Sequence, residues 1–104
     1  MAREDLAAPE LIDLEVLQAL RRLVRSDAMN EVRAASALFE LTLTPVARLP
    51  HLPLADRVWE LRDNLSAYDA AYVALAETLG APLLTSDRRL ASAPGLRCEV
   101  ELIS

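Results

Sequence analysis

The chain has 104 residues, 53% of them apolar but only 4% aromatic, with a formal net charge of −5. This describes one small domain with an aliphatic core, and 26% charged residues, with no run of the roughly 18 apolar residues that a span needs and no signal-peptide pattern, exclude a membrane protein. The single cysteine, Cys98, allows neither an internal disulfide nor a thiolate metal cluster, which fits a reducing, cytoplasmic setting.

Residues 6–8 predict a very short strand. Pro9 suits the first position of a helix over 10–25, in which Ile12, Val16, Ala19, Leu20 and Leu23 share one face. Leu11, Leu14 and Leu17 add apolar surface elsewhere, so this helix is expected to be covered on more than one side. Ser26-Asp27 breaks it, and Asn30 caps a second helix over 31–41. After Pro45, residues 46–49 predict a strand and Pro50-His51-Leu52-Pro53 a loop. A third helix spans 54–62 with Trp59, and a fourth runs from Ser66 to Leu79 with Gly80 just past its end. Residues 81–85 predict an apolar strand, 87–91 a short helix, Pro94-Gly95 a turn and 98–103 a last strand. Helices alternating with short apolar strands imply an α/β domain with a parallel sheet.

The candidate chemistry is carboxylate chemistry. The one histidine, His51, lies between prolines and reads as a loop residue without a catalytic role. Glu15 falls between Leu11 and Ala19 at the edge of the inward helix face, where a half-buried carboxylate needs a partner; pairing with an arginine such as Arg22 is the plain alternative. Asp69 stands in Ser66-Ala67-Tyr68-Asp69, which approximates a capping box, yet the apolar turns behind it predict a buried helix whose first acid faces a cleft. Asp87 follows Leu83-Leu84-Thr85-Ser86, just past the end of a strand, where open parallel sheets bind ligands; a helix N-cap is the alternative. Three acids without a thiolate suit a hard cation such as Mg²⁺ or Mn²⁺, which relieves their repulsion and activates water for phosphodiester hydrolysis. The acidic balance argues against a general nucleic-acid binder, but all 11 cations are arginines, whose planar fork matches phosphate. Arg21, Arg22, Arg25, Arg88 and Arg89 are the candidates for such contacts, an ordinary solvated face being the alternative.

Ser66-Ala67-Tyr68-Asp69-Ala70-Ala71-Tyr72-Val73-Ala74-Leu75-Ala76-Glu77, followed by Leu83-Leu84-Thr85-Ser86-Asp87-Arg88-Arg89-Leu90, closely resembles the PIN-domain ribonucleases. Among them it is most similar to the VapC toxins of bacterial toxin–antitoxin pairs. Ala8-Pro9-Glu10-Leu11 and Glu15-Val16-Leu17-Gln18-Ala19-Leu20 match the family upstream, so the resemblance spans nearly the whole chain. It implies that Glu15, Asp69 and Asp87 take acidic positions of the metal site, that Thr85 supports the site at the strand end, and that Arg62 and Asn64 lie near the cleft. It also implies a five-stranded parallel sheet flanked by helices, Mg²⁺-dependent RNA cleavage, a VapB-like antitoxin as inhibitor and a homodimer.

The family opens with a strand ending in an Asp, followed by a helix, ahead of the segment that here begins at Leu6. Met1-Ala2-Arg3-Glu4-Asp5 has no apolar run, so residues 1–104 read as a single PIN-like domain lacking its first strand and first acid. The family's strand order, 3-2-1-4-5, then leaves the strands at 6–8 and 81–85 each with an unpaired edge. Two functions follow: a metal-dependent nuclease, or a catalytically impaired interaction module whose Leu-rich first two helices grip an antitoxin or a second copy.

Overall fold

The computed structural model describes residues 6–103, so Met1-Ala2-Arg3-Glu4-Asp5, read above as unable to form a strand, lie outside the described residues. The chain forms two compact units divided between Leu49 and Pro50.

In the first unit, β1 (Ala7–Pro9) and β2 (Ala47–Leu49) pair in parallel, with Ala7 opposite Ala47 and Pro9 opposite Leu49. A parallel pair needs a long crossover, supplied here by α1 (Ile12–Arg25) and α2 (Glu31–Leu43). The Leu6 carbonyl accepts from Ala47 N at 3.0 Å and Glu10 N donates to the Leu49 carbonyl at 2.9 Å, so even-numbered residues of β1 bond to β2. Pro9 therefore turns its nitrogen away from β2, and its missing N–H costs this ladder nothing. The sequence reading has Pro9 open the first helix; in the structure it ends β1, and α1 starts only at Ile12. Asn30 caps α2 as expected, its Oδ1 accepting from Arg33 N at 2.7 Å. Asp13 in the first turn of α1 takes three N–H bonds from Arg48 on β2, at 2.9–3.2 Å, which hold its carboxyl below the usual aspartate range.

The expectation of a doubly covered first helix fails, because no residue of α1 or α2 is buried. Leu14, Val32, Phe39 and Leu43 stay exposed. The helices present apolar stripes, but two strands of three residues each, largely alanine and proline, are too small to cover them. Glu15, expected half-buried at a helix edge, is exposed for the same reason.

In the second unit, a 3-10 turn (Leu52–Leu54) feeds α3 (Ala55–Glu60), shorter at both ends than the helix expected over 54–62. α4 (Ala67–Leu79) is the buried element: Ala70, Ala71, Val73, Ala74, Leu75 and Ala76 all lie inside. Its small side chains let neighbouring elements approach on several sides. Gly80 ends it at φ +63°, a left-handed conformation that glycine adopts without a Cβ penalty. β3 (Leu83–Thr85) then pairs in parallel with β4 (Val100–Leu102), with α5 (Arg88–Ala91) in the crossover. Both strands are shorter than expected; β3 starts only after Pro82, which lacks the N–H for a ladder. Leu61, Ala70, Val73, Ala76, Leu83 and Leu90 form one core cluster, bordered by Val58, Leu96 and Cys98.

The architecture is thus the α/β class with parallel strands and flanking helices. The hydrogen bonding gives two separate two-stranded sheets, β1–β2 and β3–β4, in place of one five-stranded sheet. The two pairings are the 3-2 and 4-5 pairs of the expected order.

An ion pair ties the second unit together. Arg57 of α3 donates from Nε to Glu77 Oε1 at 2.7 Å and from Nη2 to Oε2 at 3.1 Å, while Oε2 also accepts from Arg97 N at 2.7 Å. The side chains are only 17% and 10% exposed. The Arg57 bonds hold the Glu77 carboxyl below the usual glutamate range, outweighing the upward push of burial. Glu77→Ala should lower the unfolding free energy by about 2–4 kcal/mol in urea titrations, because Arg57 loses its paired carboxylate in a largely buried place. The folded carboxyl titrates below the unfolded one, so the pair's contribution is present above the ordinary glutamate pKa and lost as pH falls through the folded value. The difference between wild type and variant should therefore narrow in acid.

Candidate active site

Asp69 and Asp87 both belong to the second unit, on elements joined by one tight turn. Ser66 caps α4, its Oγ accepting from Asp69 N at 3.1 Å, which places Asp69 in the first turn. The chain then runs the length of α4, turns at Gly80 and comes back along β3. Asp87 follows two residues after β3, as the N-cap of α5. Ala70, next to Asp69, and Leu90, in the helix that Asp87 caps, share the core cluster, which fixes both elements in place.

The two carboxylates are held differently. Asp69 is half-buried, and among the described residues nothing hydrogen-bonds or pairs with its carboxylate. The expected capping box is therefore only half made: serine holds the acid's N–H, but the acid does not reach back. Asp87 is the N-cap of α5, with Oδ1 accepting from Arg89 N at 2.9 Å and Leu90 N at 3.3 Å. Its Oδ2 has no donor among the described residues. Thr85, half-buried at the end of β3, accepts from Asp87 N through Oγ1 at 3.0 Å. The threonine hydroxyl thus fixes the backbone turn at Asp87.

Glu15 lies in the first unit, on the exposed surface of α1. Asn64 is exposed in the turn between α3 and α4, where its N–H donates to the Leu61 carbonyl at 3.0 Å. Arg62 is exposed in the same turn. Arg21, Arg22, Arg25, Arg88 and Arg89 all face solvent, and Arg89 Nε lies 3.9 Å from Asp87 Oδ1. Among the described residues, no three histidine, cysteine, aspartate or glutamate side chains stand together closely enough to hold a metal ion.

Sequence reasoning missed one arrangement here. Arg62 lies over the ring of Trp59, with Cζ 4.5 Å from the ring centroid. The signal available was their i, i+3 spacing across the end of a helix, which brings side chains to one face.

The sequence model of the PIN domain matches residues 1–96. The chain belongs to the PIN-domain family. Relatives within it include Ribonuclease VapC1 of Mycobacterium tuberculosis, 53% identical over 97 residues that cover 92% of this chain and 73% of the relative. Ribonuclease VapC9 of the same organism is 41% identical over 103 residues, covering 99% of this chain and 81% of the relative. Ribonuclease VapC12 is 38% identical over 101 residues, covering 97% and 78%. In this PIN domain the segments on which the sequence resemblance rests, 66–77 and 83–90, form most of α4 and the β3–α5 turn, and contain Asp69 and Asp87.

The cap at Asp87 separates its structural from its chemical role. Asp87→Asn keeps an oxygen for the Arg89 and Leu90 N–H groups and should change stability by no more than about 0.5 kcal/mol, whereas Asp87→Ala should cost about 1 kcal/mol. Thermal melts of the two variants check this.

Proposed function

We propose that this chain is a single PIN-like domain, residues 1–104, acting as a Mg²⁺- or Mn²⁺-dependent endoribonuclease. In this reading it is the toxin of a VapBC-type toxin–antitoxin pair, works in the cytoplasm as a homodimer, and is held in check by a VapB-like antitoxin. The observation that carries the reading is that Asp69 and Asp87, on elements that share one core cluster, keep carboxylate oxygens open among the described residues, in a chain whose relatives are named ribonucleases.

Glu15, Asp69 and Asp87 are proposed as the acids of the metal site. Hard carboxylate oxygens suit Mg²⁺ or Mn²⁺. When bound, such an ion supplies an activated water and stabilises charge on the phosphodiester oxygens. Asp87 would hold its open Oδ2 towards the ion while Oδ1 stays on the α5 N–H groups, so one carboxylate both anchors the helix and offers a ligand. Thr85 keeps that orientation through its hydroxyl. Asp69 would offer a carboxylate that no arginine among the described residues neutralises. Asn64 and Arg62, on the turn before α4, would meet the RNA backbone.

A second reading, a catalytically impaired interaction module that binds an antitoxin or itself, is favoured by the apolar side chains left exposed on α1 and α2. Metal binding separates the two. The nuclease reading expects Mn²⁺ binding by calorimetry that Asp69→Asn or Asp87→Asn abolishes. It also expects RNA cleavage that needs Mg²⁺, stops with EDTA, and falls at least about 100-fold in Asp69→Asn, Asp87→Asn or Glu15→Gln. A folded chain that binds neither ion and cleaves no RNA is the interaction module.

A further inference from the structure

Trp59 is the one tryptophan of the chain, and it is 67% exposed in a protein whose core is aliphatic. It sits in the last turn of α3, and Arg62 follows in the turn that leads to the Ser66 cap and Asp69. The guanidinium is fixed twice. Its Cζ lies 4.5 Å from the ring centroid, and Nη1 donates to the Trp59 carbonyl at 2.9 Å. Among the described residues Arg62 forms no ion pair, so its charge is not neutralised by a carboxylate.

We propose that the Trp59–Arg62 pair is a stacking platform for an unpaired base of RNA, with the remaining guanidinium N–H groups serving the adjoining phosphate. This rests on the ribonuclease reading above and adds the feature that would hold the strand beside Asp69. An exposed indole and a planar guanidinium are the two protein surfaces on which single-stranded bases stack, and the unneutralised cation suits a phosphate. A second protein surface fits less well. Closing an apolar patch over the ring would bury the Arg62 charge without a counter-ion, which is unfavourable, whereas a nucleotide brings that counter-ion with it.

Because Trp59 is the sole tryptophan, intrinsic fluorescence reports it alone. The full chain in EDTA, where the proposed cleavage is silent, is titrated with an unstructured oligoribonucleotide of about ten nucleotides and with an abasic oligomer of equal phosphate number. The expected result is quenching of Trp59 by the first and little by the second. Trp59→Ala should weaken binding of the intact oligomer by about 10- to 100-fold, followed by anisotropy of a labelled strand, and Trp59→Phe by no more than about threefold. Arg62→Gln should lower the salt dependence by about one unit of slope. In cleavage assays with Mg²⁺, Trp59→Ala should raise KM while changing kcat by less than about threefold. Both residues are exposed, and circular dichroism melts confirm that the variants fold.

Equal quenching by the abasic oligomer, no binding of the intact one, or unchanged affinity in Trp59→Ala overturns the proposal. So does a Trp59 emission that shifts with protein concentration in the absence of RNA, which would assign the ring to contacts between copies. The two readings fail separately: quenching that depends on Trp59 without cleavage by any variant removes only the ribonuclease, and cleavage with no quenching and no change in KM removes only the platform.

Discussion

The second unit depends on the bidentate pair between Arg57 and Glu77. α3 has only six residues, too few to persist alone, and the connection between α5 and β4 has little regular structure. Glu77, near the far end of α4, gathers both: it takes the Arg57 guanidinium from one side and the Arg97 N–H from the other. Arg57 reaches further, donating from Nη2 to the Gly95 carbonyl at 2.7 Å and from Nη1 to Glu60 at 3.1 Å. One carboxylate thus fixes a helix, a turn and the approach to β4 relative to the buried helix. The core cluster of Leu61, Val73 and Leu83 can close because these polar groups are satisfied at its border. The first unit has a smaller counterpart in Asp13 and Arg48, which join α1 to β2.

The helix caps and ends were legible in the sequence. Asn30, Ser66, Gly80 and Asp87 each punctuate a helix where their chemistry says they should, because caps and left-handed ends are local hydrogen-bonding problems. The burial of α4 was legible from its run of small apolar residues. What lay hidden spans the chain. Arg57 and Glu77 are 20 residues apart, and Asp13 and Arg48 are 35 apart, with no periodicity linking either pair. The stripes of α1 and α2 showed which faces are apolar but not whether anything covers them, since periodicity carries no information about the partner. The same limit explains Glu15: its position on the helix was right, and its burial was not.

At the candidate site, the motif gave the acids and the structure gave their different situations. Asp87 is committed on one oxygen to backbone donors, and Asp69 to none. The two aspartates are therefore held unequally. Asp87 is locked by α5 and by the Thr85 hydroxyl, while Asp69 keeps the freedom of an uncommitted side chain above a rigid helix start.

Pro9 has a consequence for how the first sheet meets its surroundings. Its side chain is among the most fully buried of the described chain, and its nitrogen lies on the edge of β1 that β2 leaves unpaired. Any other residue there would carry a donor with no acceptor in that ladder, in a place water reaches poorly, at a cost of about 1–3 kcal/mol. Proline has no such donor to satisfy. It also breaks the alternating row of donors and acceptors that an incoming strand would read, so β1 offers an incomplete template to a stray chain. An imino acid at the end of a three-residue strand thereby leaves no orphan donor of its own on the side away from β2, while the β2 side stays bonded.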